Sequence, residues 1–475
     1  MEEINNANEG RKLKLNYKRT VIIGFAFFGI LLLWQVYDSW CPTFLTELFK
    51  TAFPHIQNAE EVQYLVGIIM ALDNLAALIM LPIFGALSDK TKSPIGKRMP
   101  YILVGTFVCA VAFPFIPVFF HFNNIAGVIS MMLIVVVFMM MYRNPAVSLM
   151  PDLTPKPLRS KANGIINIMG YIGGAFATVV GIFFVLSDYL GIDGTGGRAY
   201  HNIWVIEIPF LMASVLMIAS CLVLFFTIKE NKIAKEVEAD MKLGEEMSEL
   251  KEKVVDDKPL TKANKVMLIL ILVAVFLWFM ADNGIGTFMG NYTIYYLGAK
   301  SSSNMINTIV GGVGSVIGFA VGGIIAGKLG RKWTIIGGLS LTLIAYLIWA
   351  IFNFTLDHFA QGSGEFPLFL YFIWFFKGFG MSLVHVNSYP MVVELCNSKK
   401  IGRYTGYYYA ASMAAQTITP IALGALMLIP NFTFSILPIY ALVCLAGALA
   451  VFFFIKNVKT LKTSFKKGLE SMDND

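Results

Sequence analysis

Long apolar stretches recur along almost the whole chain, separated mostly by short polar loops. A helix of about 20 apolar residues is long enough to cross the hydrocarbon core of a bilayer. The pattern therefore predicts an all-α integral membrane protein with twelve transmembrane helices. They cover residues 20–48, 62–88, 100–120, 124–150, 161–187, 203–228, 265–293, 303–328, 333–353, 366–394, 402–429 and 434–456.

Composition agrees with this pattern and argues against a soluble enzyme. The chain is 57% hydrophobic and 14% charged, whereas about a quarter of the residues of a soluble protein are charged. Its five cysteines are scattered and its five histidines lack ligand spacing, so we expect no disulfide framework, metal or cofactor. No nucleophile–base pair is evident, and we predict that the chain is not an enzyme.

The basic residues of the loops predict the orientation of the helices. Lys and Arg cluster in alternate connections, and by the positive-inside rule this places both termini, residues 1–19 and 457–475, in the cytoplasm. The net charge of +7 follows from this bias, so the bilayer is the expected partner and nucleic acid is not. One long connection, 229–264, mixes acidic and basic residues with apolar ones near helical spacing. It is either a regulatory, partner-binding helix or a solvated linker resting on the cytoplasmic surface.

An internal repeat divides the chain into two halves. WQVYDSW at 34–40 matches WFMADNG at 278–284, with Trp followed by Asp four residues later in both. PDLTPKPLRSKANG at 151–164 matches VELCNSKKIGRYTG at 393–406 with nearly the same offset. These matches predict two six-helix halves, 20–228 and 265–456, joined by the linker. Transporters built from such repeats bind their substrate near the bilayer midplane, between the halves.

The stretch GALSDKTKSPIGKRMP, residues 85–100, resembles the helix 2–3 loop signature of the major facilitator superfamily. Its spacing is similar to the variant found in glycoside–pentoside–hexuronide:cation symporters and the related sucrose/proton symporters. The resemblance implies the major facilitator fold and alternating-access symport of a glycoside with a cation. Melibiose-type members carry two acidic residues one turn apart on helix 2, whereas here Asp73 is followed one turn later by Ala77. This departure favours a proton as the coupling ion, with Na⁺ as the alternative.

Ionisable side chains at the bilayer centre are costly, so they mark candidate functional residues. Asp73 lies about twelve residues into helix 2, close to mid-depth, and is the candidate for proton coupling. Its alternative role is a hydrogen bond that packs helix 2 against a neighbour. Asp38 shares a helix face with Trp34, next to Tyr37, which suits a sugar whose ring stacks on an aromatic plane while the carboxylate accepts hydroxyls. Alternatively, Asp38 is simply in contact with water.

The second half offers further candidates for binding the substrate. Asp282 with Trp278 repeats the arrangement of Asp38 with Trp34. Lys377 is the cation deep in helix 10, and we expect it to pair with Asp282, or with Asp38 or Asp73 across the halves. Asn167 and Gln416 belong to polar ladders that either face a cavity or join helices.

Seven charged residues recur near the predicted cytoplasmic helix ends in both halves. The family resemblance implies that charge pairs there close an inner gate; the alternative is that these charges follow the positive-inside rule with local partners only. The seven are Asp89, Arg98, Arg143, Asp152, Arg159, Glu394 and Arg403.

Together these features predict a secondary transporter in the plasma or inner membrane that acts as a monomer. It imports a sugar, a glycoside or an oligosaccharide, with a proton. A facilitator or exporter of another small solute, or a transporter-like sensor that uses the linker, are the alternatives.

Overall fold

The computed structural model describes residues 13–56, 58–191, 202–252, 262–355, 366–394, 401–430 and 432–455. Parts of the predicted tails and of the linker lie outside these residues. The Glu394 side chain, predicted to take part in the inner gate, also lies outside them.

The described part of the first half forms eight α-helices. Asn16 and Asn124 begin the first and fifth, since their side-chain oxygens accept hydrogen bonds from the backbone N–H groups of Arg19 and Gly127. Pro114 separates the third from the fourth, and together these two form the third predicted span. The eight are α1 (Tyr17–Ala52), α2 (Gln63–Lys90), α3 (Met99–Ala112), α4 (Phe115–His121), α5 (Ile125–Asp152), α6 (Arg159–Phe183), α7 (Leu186–Leu190) and α8 (Trp204–Thr227).

The linker and the second half continue the all-helical pattern. Two helices, α9 (Glu230–Glu236) and α10 (Glu238–Glu252), lie in the linker. The second half contains α11 (Lys262–Asn291), α12 (Ser301–Leu329), α13 (Arg331–Thr355), α14 (Leu368–Glu394), α15 (Ile401–Leu426) and α16 (Ile436–Phe454).

The predicted all-α membrane fold is confirmed. Within the described residues, eleven helical segments are long and apolar enough to cross a membrane. The remaining predicted span, 402–429, corresponds to α15, a helix of 26 residues that is richer in Tyr, Ser, Thr and Gln. Its polar side chains are tolerated because α15 packs against α2 and α11 rather than standing alone in lipid.

Each half has its own hydrophobic core. One cluster of buried side chains extends from Ile23 to Ile228, and Met305 is its one contribution from the second half. The other extends from Leu268 to Ile455, and Ala59 is its one contribution from the first half. Because the two cores share almost no residues, each half can move as a unit without disrupting its own packing.

The two ends of the helix bundle differ in how closely the halves approach. We call the end with the loops 91–98 and 153–158 the basic end, and the opposite one the far end. The halves meet through the pairs α2–α15, α6–α12 and α1–α11. Near the far end these contacts are tight: Gly181 lies against Met305, and Gly67 lies against the backbone of Pro420.

At the basic end the same helix pairs leave open space. A Cβ atom added at Gly164, Gly323 or Gly406 would meet no atom within 4 Å. These glycines lie in the basic-end portions of α6, α12 and α15. The structure therefore shows a conformation that is closed at the far end and open at the basic end.

The linker lies against the first half at the basic end. The Glu230 carboxylate accepts hydrogen bonds from the backbone N–H groups of Lys97, Arg98 and Met99 at the start of α3. Gly244 of α10 packs on the loop between α5 and α6, near Pro155. The first part of the linker is thus fastened to the loops that follow α2 and α5.

Candidate functional site

A cavity of about 550 Å³ lies between the halves. Helices α1, α2 and α5 of the first half line one side, and α11, α12, α14 and α15 of the second half line the other. Its aromatic lining comes from Trp34 and Trp374. Its charged and amide side chains are Gln35, Asp38, Asp73, Asn74, Arg143, Asn283, Asn304, Lys377 and Gln416.

On the first half, a tyrosine hydroxyl holds the carboxylate of Asp73. The hydroxyl of Tyr37 donates a hydrogen bond of 2.7 Å to Asp73 Oδ2. Tyr37 is fully buried behind the cavity wall, and Trp34 packs edge-on against its ring at 5.4 Å between centroids. The position of Asp73 is therefore fixed by a neutral donor on α1.

Asp38 lies on the same side of the cavity and is exposed to it. Its electrostatic partner is the guanidinium of Arg143 from α5. Arg143 also interacts electrostatically with Tyr409 of α15, in the second half. The first half therefore presents two carboxylates, those of Asp38 and Asp73, and one guanidinium to any molecule inside the cavity.

On the second half, an ion pair joins α11 and α14. Lys377 Nζ lies 2.6 Å from Asp282 Oδ1. The ring of His385 lies 5.2 Å from that of Phe279 between centroids, and His385 interacts electrostatically with both charges. Lys377 lines the cavity, whereas Asp282 lies behind it.

The charges around the cavity do not cancel. Asp38, Asp73 and Asp282 contribute three negative charges when ionised, and Arg143 and Lys377 contribute two positive ones. Arg143 is the cationic partner of Asp38, and Lys377 is that of Asp282. Among the residues that the structure describes, Asp73 has a hydroxyl partner and no cationic one. The arrangement leaves one carboxylate free to take up a single cation.

The structure brings together most of the predicted binding residues, but not all. Asp38, Trp34, Lys377 and Gln416 line the cavity, together with the predicted coupling residue Asp73. Tyr37 and Asp282 contact lining residues from behind.

Two predicted binding residues lie elsewhere. Trp278 is fully buried in the second core, 5.9 Å from Phe452 between ring centroids, and Trp374 supplies the cavity aromatic in its place. Asn167 lies on α6 outside the cavity lining. The cross-half partners considered for Lys377 are corrected too, because its partner Asp282 belongs to its own half.

Four of the predicted inner-gate residues make their contacts within the first half: Asp89, Arg98, Asp152 and Arg159. Arg98 binds Asp89 and Asp152, the latter at 2.8 Å from Nε to Oδ2. Arg159 donates to the backbone carbonyls of Thr154 and Pro151. These bonds organise the loops after α2 and α5, and they are formed while the basic end is open. They therefore do not bridge the halves in this conformation.

Two further gate candidates, Arg403 and Arg143, lie apart from this network. The Arg403 guanidinium donates to the hydroxyl of Tyr407, one turn along α15. Arg143 is misassigned, because it lines the cavity. It precedes the end of α5 at Asp152 by nine residues, roughly 13 Å along the helix.

Arg143 is the cavity-lining residue whose position was predicted wrongly, although the sequence held a signal for it. The repeat that aligns Asp38 with Asp282 also aligns Arg143 with His385. His385 lies beside the Asp282–Lys377 pair, so both halves place a basic side chain on equivalent helices near an aspartate.

Comparison with known proteins identifies the family. The sequence profile of the Major Facilitator Superfamily matches residues 4–178, 184–361 and 271–471. The chain belongs to the major facilitator superfamily. It is therefore a transporter, not an enzyme, and a member of a superfamily that works by alternating access. A search of curated protein sequences finds no significant match.

Solved structures with the same fold include transporters of different substrates. The inward-open xylose transporter XylE from E. coli superposes with a TM-score of 0.64 at 16% identity, covering 95% of this chain and 99% of its own. A D-xylose–proton symporter gives 0.62 at 18% identity, covering 94% and 99%. The POT family transporter PepTSo gives 0.63 at 12% identity, covering 93% and 97%. At these identities the likeness establishes the fold of this chain, and its substrate has to be argued from the cavity.

Proposed function

We propose that this transporter imports a sugar, a glycoside or an oligosaccharide, together with one proton. It works as a monomer in the plasma or inner membrane, with the basic end and both termini in the cytoplasm. The observation that carries the proposal is Asp73, the cavity carboxylate whose partner is a hydroxyl rather than a cation.

Charge balance supports coupling to a single cation. With Asp38 opposite Arg143 and Asp282 paired with Lys377, protonation of Asp73 makes the cavity neutral as a whole. A neutral cavity is less costly to carry through an apolar barrier than one with a net charge. The proton is therefore expected to be bound whenever the loaded cavity is enclosed.

The surroundings of Asp73 favour a proton over Na⁺. One turn further along α2, the position that would carry a second carboxylate is occupied by Ala77. A proton needs a single carboxylate oxygen, and Tyr37 can keep its hydrogen bond to the other one.

The rest of the cavity suits a neutral molecule with many hydroxyl groups. Trp34 and Trp374 supply apolar ring faces, while Asp38, Arg143 and Lys377 supply acceptors and donors. A sugar carries both kinds of surface, an apolar ring face and a rim of hydroxyls that donate and accept hydrogen bonds. The volume of about 550 Å³ is large enough for a ligand of drug size.

The experiment is proton flux in proteoliposomes. Purified protein is reconstituted with an internal pH dye, and sucrose, maltose, trehalose and α- and β-galactosides are added in turn, with and without Na⁺. We expect one sugar class to acidify the interior without Na⁺, because sugar and proton enter together. Liposomes without protein are the control for passive leakage.

Each other outcome corrects a different part of the proposal. Uptake of radiolabelled sugar without any proton flux would identify a facilitator. Sugar uptake that requires Na⁺ would identify Na⁺ as the coupling ion in place of the proton. If no sugar is taken up or moves protons, the sugar assignment is wrong, and another solute or a sensor function takes its place.

A further inference from the structure

Four buried polar side chains join the two halves at the far end of the cavity. Thr43 and Thr46 come from α1, Gln63 begins α2, and Asn291 ends α11 of the other half. Their exposed fractions are 1%, 0%, 0% and 0% in this order. We call these four residues the far-end latch.

Every side-chain polar group of the latch has a partner. The Thr43 hydroxyl donates to Asn291 Oδ1 at 2.8 Å. Asn291 Nδ2 donates to Thr46 Oγ1 at 2.9 Å and to Gln63 Oε1 at 3.0 Å. Gln63 Nε2 donates to the Ala59 carbonyl at 2.7 Å. Asn291 is thus the single residue from the second half in a network otherwise built from the first.

The position of the latch links it to the opening of the cavity. Thr43 lines the cavity, and so do Met289 and Gly290, the residues directly before Asn291. The network therefore forms a wall between the cavity and the far-end surface. Any movement that separates α1 and α2 from α11 breaks all three hydrogen bonds of Asn291 at once.

Such a network favours two states over a graded series. Buried polar groups that lose some of their partners without reaching water are costly. The latch is stable either when all of its bonds are formed or when the far end is open and water replaces the missing partners. A two-state element of this kind can set the balance between the two conformations of a transporter.

We propose that Asn291 is a positioning residue of the transport cycle. Through Thr43, Thr46 and Gln63 it stabilises the conformation that is closed at the far end. It does so by joining the halves, without contacting the transported molecule. The proposal rests on alternating access alone and holds whichever solute is carried.

The test measures access to the cavity from the far end. In a chain whose native cysteines are replaced by serine, Gly312→Cys places a thiol in the cavity, where an added Cβ meets no atom within 4 Å. A membrane-impermeant maleimide is then applied to vesicles of either orientation. A separate variant, Lys300→Cys, identifies the vesicles whose far end faces outward, since Lys300 is an exposed residue there.

Asn291→Leu is expected to increase the rate of labelling from the far end by roughly 20-fold, the effect of losing three interhelical hydrogen bonds of average strength. Labelling from the basic end should fall. The matched control is Asn307→Leu, because Asn307 of α12 is equally buried and its side-chain amide has no hydrogen-bond partner among the described residues. This control should leave both rates unchanged.

Equal rates in Asn291→Leu and the parent would overturn the proposal, and so would equal changes in the two asparagine variants. If Asn291→Leu fails to fold, Thr43→Val removes one donor to Asn291 and should give a smaller increase of a few fold. The double variant Asn291→Leu/Gln63→Leu should match Asn291→Leu within about twofold, because both changes break the same latch. Additive effects would show that Gln63 acts independently, contrary to the proposal.

Discussion

At the scale of single residues, the partner of each cavity carboxylate determines what it can do. Asp282 lies 2.6 Å from an ammonium group, so protonating it would sacrifice an ion pair. Asp73 faces the hydroxyl of Tyr37, so protonation removes no charge–charge attraction. The same side chain is therefore suited to structural charge balance at one position and to cation exchange at the other.

Removing the charge of Asp73 should uncouple transport from the proton gradient. Asp73→Asn can still accept the Tyr37 hydrogen bond through its amide oxygen but cannot exchange a proton. We expect gradient-driven accumulation of the substrate to fall to the equilibrium level, while exchange of internal for external substrate continues. Accumulation and exchange are measured in the same proteoliposomes. Glu236→Gln, which alters an exposed carboxylate of the linker, serves as the control and should accumulate substrate normally. Accumulation by Asp73→Asn at the parental level would contradict the coupling assignment.

The Asp282–Lys377 pair should behave as one unit in stability. Lys377→Ala leaves the Asp282 carboxylate without its cation and should cost up to about 3 kcal/mol, reduced by the partial exposure of both side chains. The double variant Asp282→Asn/Lys377→Gln removes both charges and should unfold closer to the parent than Lys377→Ala does. Thermal unfolding in detergent, followed by tryptophan fluorescence, compares the three proteins. A double variant less stable than Lys377→Ala would show that the two residues do not act as a pair.

The sequence predicts which residues gather at the site better than it predicts where each one points. Asp38, Asp73 and Lys377 were identifiable because ionisable residues are rare in apolar helices. Trp278 lies one turn before Asp282, yet its ring packs into the second core. Trp34 and Asp38 have the same four-residue spacing and both line the cavity, so the spacing alone does not determine whether the tryptophan ring packs in the core or lines the cavity. Arg143 was misplaced because its depth depends on where α5 ends.

At the scale of elements, Glu230 connects the linker to the start of α3. Its carboxylate is 3% exposed and accepts three backbone hydrogen bonds. Burial raises the pKa of Glu230 above its ordinary value of 4.5, and the backbone hydrogen bonds reverse only part of this effect. Desolvation of the charged form thus outweighs its stabilisation by the helix start.

This raised pKa predicts a pH dependence with a definite sign. Near pH 4 the carboxyl is largely protonated in both the folded and unfolded states, so its ionisation imposes no cost. As the pH rises through 4.5 and then through the higher pKa of the folded state, ionisation favours the unfolded chain. The parent should therefore lose stability relative to Glu230→Gln as the pH rises from about 4 through the raised pKa of the folded state. Unfolding midpoints of both proteins across this range provide the measurement.

The control is Glu236→Gln, which alters an exposed neighbour on α9 and should show the same pH dependence as the parent. A difference between Glu230→Gln and the parent that stays constant with pH would contradict the prediction.

The elements themselves follow closely from the hydrophobic pattern. Most helices extend the predicted spans by a few residues, because helices continue past the apolar region into the polar surface. The break between α3 and α4 and the attachment of the linker were not predicted. The first depends on the backbone around Pro114, and the second on a single carboxylate that meets three N–H groups from a distant loop. The linker alternatives raised by the sequence differ in function, and its contacts with the first half are compatible with either.

At the scale of the whole molecule, separate cores and uneven contacts define how the halves can move. The contacts between the halves described above are concentrated near the far end, where α1 meets α11 and α6 meets α12. Rotation of one half against the other about the cavity would open this end and close the basic end, with little change inside either core. The repeat predicted the two halves from sequence. It could not predict which end is closed, because both conformations are built from the same helices.

A disulfide across the far end tests this movement directly. The backbone N–H of Ser301 donates to Ser187 Oγ at 3.1 Å, and that of Ser187 donates to Ser301 Oγ at 3.4 Å, so the two side chains lie against each other between the halves. In a chain without native cysteines, Ser187→Cys/Ser301→Cys should form a disulfide on oxidation and hold the far end closed. Transport should then stop and return on reduction, because a transporter that cannot open at one end cannot complete its cycle.

Labelling of Gly312→Cys from the basic end should persist in the oxidised protein, which separates a locked transporter from an unfolded one. Ser187→Cys alone should be insensitive to oxidation. Transport at the parental rate by the cross-linked protein would show that α7 and α12 stay together throughout the cycle, and that the halves separate along another surface.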